Sequence, residues 1–242
     1  MSSTTTTEPL VRLTNQTLLI DADDTLWENN IYFERAIASF ISFLDHQVHT
    51  PEQVREHLNA CERATIAAHG YGLQSFRRSL IDCFEQLSKS PITPERHAQI
   101  VSFTAAIASN EIELLPGVDK TLDELSQRHR LIMVTKGNPV EQTDKLERSG
   151  LRPFFSDVEV LAEKNASAYR DVITRYLCDP AATWMIGNSP KSDIKPALAA
   201  GLNAVFIPHD FTWVLEHELV DAPIGSEQLM ELGSFTELLH YF

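Results

Sequence analysis

Short apolar runs alternate with amphipathic helical patterns over most of this chain of 242 residues. The runs are rich in β-branched residues, and each is short enough to be a buried strand. Such an alternation indicates an α/β fold, in which helices cover both faces of a parallel sheet. The predicted strands are Thr17–Ile20, Leu131–Thr135, Val158–Leu161, Thr183–Ile186 and Ala204–Ile207. The predicted helices of this part are Leu122–Arg128, Val140–Arg148, Tyr169–Leu177 and Ile194–Ala200.

The alternation is interrupted between Asn30 and Asn110, where helical patterns follow one another without a strand. Thr50 and Gln53 are spaced as a capping box around a helix start, and Thr93-Pro94 marks a second start. We predict roughly four helices that form a small bundle inserted after the first strand. The predicted organisation is a disordered tail over 1–14, an α/β core over 15–28 and 114–242, and a helical cap over 29–113.

The C-terminal part of the chain carries two further signals. The segment Ser226–Leu232 predicts an additional edge strand, and Ser234 with Glu237 predicts a capping box at the start of a last helix.

Charge and cysteine content limit the partners. The chain has 20 basic and 34 acidic residues, a formal net charge of −14, and no basic cluster, so we expect no nucleic-acid polymer as partner. No apolar run approaches the ~18–20 residues of a membrane span, and the first residues lack the pattern of a secretory signal. Cys61, Cys83 and Cys178 form no CxxC pair, so free thiols are expected rather than a zinc site. The expected location is the cytoplasm, and the sequence indicates no oligomeric state.

Polar residues follow the predicted strands at the edge where ligands bind to open parallel sheets. The segments are Asp21-Ala22-Asp23-Asp24-Thr25 after the first strand, Thr135-Lys136-Gly137-Asn138 after the second, Lys164 just beyond the third, and Gly187 to Asp193 after the fourth.

Asp21 and Asp23 are two residues apart, so both carboxylates project to one side of an extended segment. Close carboxylates need a cation between them or a shared proton. One can attack phosphorus while the other transfers protons, and the phosphoryl group then requires Mg²⁺, a lysine and hydroxyl or N–H donors. The residues that meet these needs are Asp193, Lys164, Thr135 and the Gly137 turn.

These segments, in this order, resemble the motifs of the haloacid dehalogenase-like hydrolase superfamily, specifically its phosphatases. The DxDx[TV] motif is similar to Asp21–Thr25, the Ser/Thr motif to Thr135, the Lys motif to Lys164, and the GDxxxxD motif to Gly187–Asp193. The resemblance extends from Thr17 to Pro208. It implies a Rossmann-like core with a type 1 helical cap, an arrangement that usually accompanies small soluble substrates.

The resemblance also implies roles for single residues. Asp21 would be the nucleophile and a Mg²⁺ ligand, and Asp23 the general acid/base, with its backbone carbonyl on the metal. The implied phosphate-binding residues are Thr135, Lys136, Gly137 and Lys164. Asp193 and Asn188 are both candidates for direct contact with the metal, although Asn188 stands where the family more often has Asp and brings no charge.

The predicted function is Mg²⁺-dependent hydrolysis of a small phosphorylated metabolite, such as a sugar phosphate or a nucleoside monophosphate, through an aspartyl-phosphate. A phosphomutase is an alternative that uses the same Asp pair. A 2-haloacid dehalogenase is another, but such members generally lack an Asp at the position of Asp23. A catalytically silent regulatory protein is the third, supported only by Asn188.

Four neighbouring features are interpreted as structural. Asp24 is expected to make local hydrogen bonds, Thr25 to brace the first motif, and Trp27 to pack between core and cap. The segment from His69 to Arg78 is interpreted as a helix–helix turn with a solvated face, in preference to a segment that enters the site and selects substrate.

Overall fold

The computed structural model describes residues 12–44, 48–88, 91–109, 111–220 and 228–242. Its centre is a six-stranded sheet with the order β3-β2-β1-β4-β5-β6, in which every pairing is parallel. The strands are β1 Thr17–Ile20, β2 Arg130–Lys136, β3 Asp157–Leu161, β4 Thr183–Gly187, β5 Asn203–Phe206 and β6 Leu229–Glu231. The predicted α/β fold and the additional edge strand β6 are therefore confirmed. Most of the predicted disordered tail, residues 1–11, lies outside the described residues.

Helices cover both faces of the sheet, as the buried residues of β1 show. Leu18 and Ile20 belong to one apolar cluster, whereas Leu19, between them, belongs to another on the opposite face. The three side chains have no solvent-exposed surface. The flanking helices are α6 Val118–Ser126, α7 Pro139–Ser149, α8 Ala166–Arg175, α9 Lys195–Ala199 and α10 Leu238–Tyr241.

The segment between β1 and α6 forms helices that share an apolar cluster of their own. The helices are α1 Asn30–Leu44, α2 Pro51–His69, α3 Leu73–Ser88, α4 Pro94–Phe103 and the short α5 Ala105–Ser109. We refer to them as the cap helices. Phe40, Leu58, Leu80 and Ile100 are fully buried in their shared cluster. The predicted capping box of Thr50 and Gln53 is present. The exact domain limits at 28/29 and 113/114 stay predictions.

The two linker segments that join the cap helices to the sheet lie side by side. The Glu28 N–H donates to the Glu113 carbonyl at 2.9 Å, and the Leu115 N–H donates to the Leu26 carbonyl at 2.9 Å. Trp27 is fully buried between these two bonds, where it bridges to Leu114. No helix within the described ranges is both long and apolar enough to span a membrane.

Two helix starts differ from prediction. A π-helical turn over Pro190–Ile194 precedes α9, so the helical segment starts before Ile194. At the C-terminus, the predicted capping box is wrong, because the Ser234 side chain accepts no bond from the helix backbone. The N–H of Glu237 donates to the Ser234 carbonyl at 3.2 Å in a 3₁₀-helical turn. This bond uses the amide that a capping box would direct to the serine hydroxyl.

Candidate active site

The predicted site residues meet at the carboxyl ends of the central strands, beneath the cap helices. A cavity of about 180 Å³ lies between them. Its sheet side, here called the catalytic floor, includes Asp21, Asp23, Thr135, Lys164, Asn188 and Asp193. Its helical side, here called the cap wall, consists of Phe33, Ile37, Glu62, Ile66, Tyr71, Gly72, Ser75, Phe76 and Ser79.

A buried lysine joins two acidic residues of the floor. Lys164 Nζ donates to Asp21 Oδ1 at 2.5 Å and to Asp193 Oδ1 at 2.7 Å. Burial lowers the pKa of Lys164, but the charges of Asp193 and Asp21 outweigh it, and the pKa lies well above its ordinary value. Burial raises the pKa of Asp193 to about 7, although Lys164 opposes the shift. One ammonium therefore does not fully compensate two buried carboxylates.

Gly187 makes room for Asp193. A Cβ atom at Gly187 would lie 2.3 Å from Asp193 Oδ2 and 2.5 Å from its Cγ. That Oδ2 also accepts the Ser189 N–H at 2.9 Å. Asp193 is thus an almost completely buried acid, 1% exposed, whose carboxylate lies in the floor.

Three donors hold the carboxylate of Asp23. Its Oδ1 accepts Trp27 Nε1 at 2.7 Å and Lys145 Nζ at 2.5 Å, and its Oδ2 accepts Gln142 Nε2 at 2.8 Å. Burial raises the pKa of Asp23, but Lys145 together with these hydrogen bonds brings it below the ordinary value. Gln142 and Lys145 were not predicted, yet they are three residues apart on α7, a spacing that places them on one helix face.

The end of β2 and the glycine that follows it reach the cavity, but their donors already have partners. Thr135 is 1% exposed, and its hydroxyl donates to Gln142 Oε1 at 3.4 Å. Lys136 Nζ donates to Glu216 Oε1 at 2.6 Å and to Ser192 Oγ at 2.8 Å. Gly137 has φ +147°, a conformation that favours glycine, and its N–H donates to the Leu161 carbonyl at 3.2 Å.

Glu216 is a site residue that sequence reasoning missed. It lies in a 3₁₀-helical turn after β5 and is 7% exposed. Besides Lys136, it accepts Ser189 Oγ at 2.6 Å and the Ser192 hydroxyl. Burial raises its pKa, but the Lys136 charge and these bonds lower it below the ordinary value. The other site residues were predicted because they follow the ends of strands. No strand ends at the turn of Glu216, so the same criterion does not identify it.

Thr25 and Asn188 complete the surroundings of Asp21. The Thr25 hydroxyl donates to Asp21 Oδ2 at 2.9 Å and lies 3.5 Å from Asn188 Oδ1. The Asn188 amide nitrogen donates to Thr212 Oγ1 at 2.9 Å. Thr25 therefore braces the first motif, as predicted.

The carboxylate of Asp24 accepts hydrogen bonds from the start of α1. Asp24 has φ +60°, and its Oδ1 accepts the Asn29 N–H at 2.9 Å and the Asn30 N–H at 3.0 Å. Burial, together with the charges of Asp23 and Asp21, raises the pKa of Asp24 to about 7. Asp24, Glu28 and His209 each have one atom that could bind a metal ion, and these three atoms lie within 4.8 Å of one another.

The floor could hold magnesium. Lys164 contacts both Asp21 and Asp193, and Thr25 lies within 3.5 Å of both Asp21 and Asn188, so these oxygen donors converge. Carboxylate and amide oxygens suit a hard cation. A divalent cation would also offset the negative charge that Lys164 leaves uncompensated. The side chain of Asp23 is turned toward Lys145 and does not belong to this set.

The segment from His69 to Arg78 was interpreted as a helix–helix turn with a solvated face, and the second part of this interpretation is wrong. It does form a helix–helix turn, but the turn and the first part of α3 line the cavity instead of a solvated face. Tyr71 Oη donates to Glu163 Oε2 at 2.8 Å, and the Leu73 N–H donates to both carboxylate oxygens of Glu141 at 3.1 Å. The sequence pattern predicts helices α2 and α3, but it does not predict that the turn between them packs on the core.

Comparison with known proteins places the chain in a family. The family model of haloacid dehalogenase-like hydrolases matches residues 16–201. The chain belongs to this family. The fold is similar to the crystal structure of a haloacid dehalogenase-like family hydrolase from Xanthomonas campestris, with a TM-score of 0.78 and 26% identity, and with 93% of this chain and 92% of that chain covered. The family predicted from the motifs is therefore confirmed.

Two further relatives carry names of specific activities. Glyceraldehyde 3-phosphate phosphatase of Methanothermobacter thermautotrophicus is 33% identical over 103 residues, which are 40% of this chain and 46% of that protein. The match thus spans less than half of that relative. The L-2-haloacid dehalogenase of Xanthobacter autotrophicus has a TM-score of 0.61 and 12% identity, with 93% of this chain and 96% of that chain covered, a likeness that shows the fold alone.

Proposed function

We propose that this hydrolase is a Mg²⁺-dependent phosphatase that cleaves a small phosphomonoester, such as a sugar phosphate or a nucleoside monophosphate, in the cytoplasm. The observation that carries the proposal is the buried set of Asp21, Lys164 and Asp193, with Asp23 two residues from Asp21 at the same cavity. The phosphatase name of a relative that matches part of the chain supports the same reaction class.

In the proposed reaction, Asp21 attacks phosphorus and forms an aspartyl-phosphate, which water then hydrolyses. Lys164, which donates to Asp21, contacts a phosphoryl oxygen in this proposal, as does the hydroxyl of Thr135. Asp21, Asp193, Asn188 and the Asp23 carbonyl would hold Mg²⁺, which would supply positive charge for the phosphoryl oxygens. Lys136 and the Gly137 turn serve phosphate binding in this proposal only if Lys136 gives up part of its contact with Glu216.

Asp23 donates a proton to the leaving oxygen and later accepts one from water. Its carboxylate is ionised while Lys145 contacts it. The proposed acid role therefore requires Asp23 to exchange the Lys145 contact for a proton when substrate binds. The phosphoryl group assists this step, because its negative charge raises the pKa of a nearby carboxyl group.

The test is phosphate release from p-nitrophenyl phosphate with Mg²⁺. We expect Asp21→Asn to lose on the order of 10³-fold or more in kcat, because the nucleophile is removed. Asp123→Asn, at an exposed position of α6, is the matched control and should behave as wild type. Removal of the metal with EDTA should abolish wild-type turnover, and added Mg²⁺ should restore it.

Three outcomes would contradict the proposal. Wild-type turnover in Asp21→Asn would exclude the aspartyl-phosphate. Transfer of the phosphoryl group within a sugar phosphate, without free phosphate as the main product, would indicate a phosphomutase. Release of halide from a 2-haloacid, or no turnover of any phosphomonoester, would indicate a dehalogenase or a silent regulatory protein.

A further inference from the structure

The cap wall is mostly apolar and carries a single acidic residue. Phe33, Ile37, Ile66 and Phe76 line the cavity together with Glu62 and small polar residues. Among the cavity-lining residues of the described cap helices, none is a lysine or an arginine. The part of a substrate that projects from the floor therefore meets apolar side chains, a few hydroxyl groups and one carboxylate.

Glu62 is buried without a full set of partners. The residue is 5% exposed, and within the described residues its Oε2 has no hydrogen-bond partner. Burial raises the pKa of Glu62 to about 7, because the nearby Arg55 compensates its charge only in part. The guanidinium of Arg55 is already bound by both oxygens of Glu34, at 2.5 Å and 2.8 Å. A buried acceptor without a donor is costly, so a carboxylate at this position indicates a ligand group that supplies the donor.

The nearby arginines of α3 do not serve the cavity. Arg77 Nε donates to Thr104 Oγ1 at 2.7 Å, and Arg78 contacts His69 Nε2 at 3.0 Å. The three lysines that line the cavity already contact acids: Lys164 contacts Asp21 and Asp193, Lys145 contacts Asp23, and Lys136 contacts Glu216. A second acidic group on a substrate would therefore face Glu62, whose nearby cation Arg55 is already paired with Glu34, and like charges in a buried site repel strongly.

We infer that Glu62 is a specificity-determining residue, whose carboxylate accepts hydrogen bonds from hydroxyl or ammonium groups of the leaving alcohol and excludes leaving groups that carry an acid. Phe33, Ile37, Ile66 and Phe76 contact the carbon skeleton of the same group. The inference rests on the proposed function and specifies its substrate class. A site built to bind a hydrogen-bond donor rejects an analogue that lacks it, because the buried acceptor is then left unpaired.

The test uses four series of n-alkyl phosphates that differ only at the far end of the chain: methyl, hydroxyl, ammonium or carboxylate. Each series contains three chain lengths, so that at least one end group can reach Glu62. We expect wild type to favour hydroxyl and ammonium ends over methyl by about tenfold in kcat/KM at the optimal length, and to use carboxylate ends worst. In Glu62→Gln, the ammonium preference should fall about tenfold and the carboxylate compounds should improve, while the methyl series stays within about twofold.

Glu56→Gln is the matched control. Glu56 lies on the same helix α2, but its side chain is 71% exposed. This variant should keep the wild-type order of substrates. A second readout is thermal unfolding at pH 8, where Glu62→Gln should unfold at a higher temperature than wild type, because a buried and unpartnered charge is removed.

The two proposals fail in different ways. Phosphate release with the same order of end groups in wild type and Glu62→Gln would overturn the inference and leave the phosphatase intact. A wild-type preference for carboxylate ends, or a lower unfolding temperature of Glu62→Gln, would also overturn it. No phosphate release by wild type from any of the compounds would refute the phosphatase and the inference together.

Discussion

The catalytic floor and the cap wall face the same cavity, but they differ in how their acidic side chains are paired with hydrogen-bond donors. On the floor, Asp21, Asp23 and Asp193 each accept a hydrogen bond from a lysine at 2.7 Å or less. On the cap wall, Glu62 has an oxygen without a partner in the part of the chain that the structure describes, and it lies beside apolar side chains. The acids of the floor thus have fixed partners within the protein, whereas Glu62 on the wall has an acceptor oxygen to which a ligand can donate a hydrogen bond.

The two sides also differ in how they are held. The floor residues follow strands of one continuous parallel sheet, and Lys164 ties two of them together in the interior. The cap helices reach the core through their linkers and through contacts of the α2–α3 turn, such as those of Tyr71 and Leu73. Changes in the floor should therefore affect both chemistry and stability, and changes in the docking of the cap should mainly affect substrate use.

The largest effect is expected for Lys164→Met. Removal of the ammonium leaves Asp21 and Asp193 buried without their common partner, which should cost about 3–5 kcal/mol in the free energy of unfolding. Turnover should also become undetectable, because Asp21 loses the hydrogen bond that holds its carboxylate and the phosphoryl group loses a positive charge. Urea unfolding and phosphate release measure the two effects. Lys120→Met, at an exposed position of α6, is the control, and a Lys164→Met protein of wild-type stability would show that the floor does not depend on this ion pair.

A smaller but still large effect is expected for Gly187→Ala. The added Cβ would lie 2.3 Å from Asp193 Oδ2, so Asp193 must move away from Lys164. Overpacking of this kind costs about 1–3 kcal/mol, and a misplaced site residue can lower activity about 10²-fold. Unfolding and kcat are the measurements.

Gly150→Ala is the control for Gly187→Ala, because it introduces backbone strain without a steric clash. Gly150 has φ +74°, but a Cβ there would meet nothing within 4 Å. This variant should lose some stability and retain its activity. Equal loss of activity in both glycine variants would contradict the proposed reason for Gly187.

The smallest effect is expected at the contact between cap and core, for Glu141→Ala. Its carboxylate caps the first N–H of α3, and loss of a helix cap costs about 1 kcal/mol. That change corresponds to about a fivefold shift of an equilibrium, so kcat/KM should fall about fivefold while the fold stays intact. Glu141→Gln, which keeps an acceptor, should recover most of the loss.

Glu147→Ala on the same helix is the control for Glu141, because Glu147 is exposed. If both alanine variants gave the same kcat/KM, docking of the α2–α3 turn would not contribute to substrate use. The comparison between floor and wall would then rest on Glu62 alone.

Patterns of the sequence predicted what depends on neighbours along the chain. Strand β1 has the predicted limits, and the capping box of Thr50 and Gln53 is present, because both follow from residues two to four positions apart. The polar segments after the strands also meet, since the ends of neighbouring parallel strands lie at one edge of a sheet. Ser234 and Glu237 show the limit of such patterns, because the same residues formed a 3₁₀-helical turn instead.

The sequence by itself determined the α/β order of elements, the helical insertion, the family and the cavity residues Asp21, Asp23, Lys136, Lys164 and Asp193. Only the tertiary structure added Lys145 and Glu216 to the site and decided how the charges are paired: Lys164 with Asp21 and Asp193, Lys145 with Asp23, Lys136 with Glu216. It also decided that the α2–α3 turn docks on the core and that one carboxylate oxygen of Glu62 lacks a hydrogen-bond partner among the described residues. The physical reason is that local preferences act over a few residues, whereas the partner and the burial of a charge depend on segments that are distant in the chain and meet only when the protein is packed.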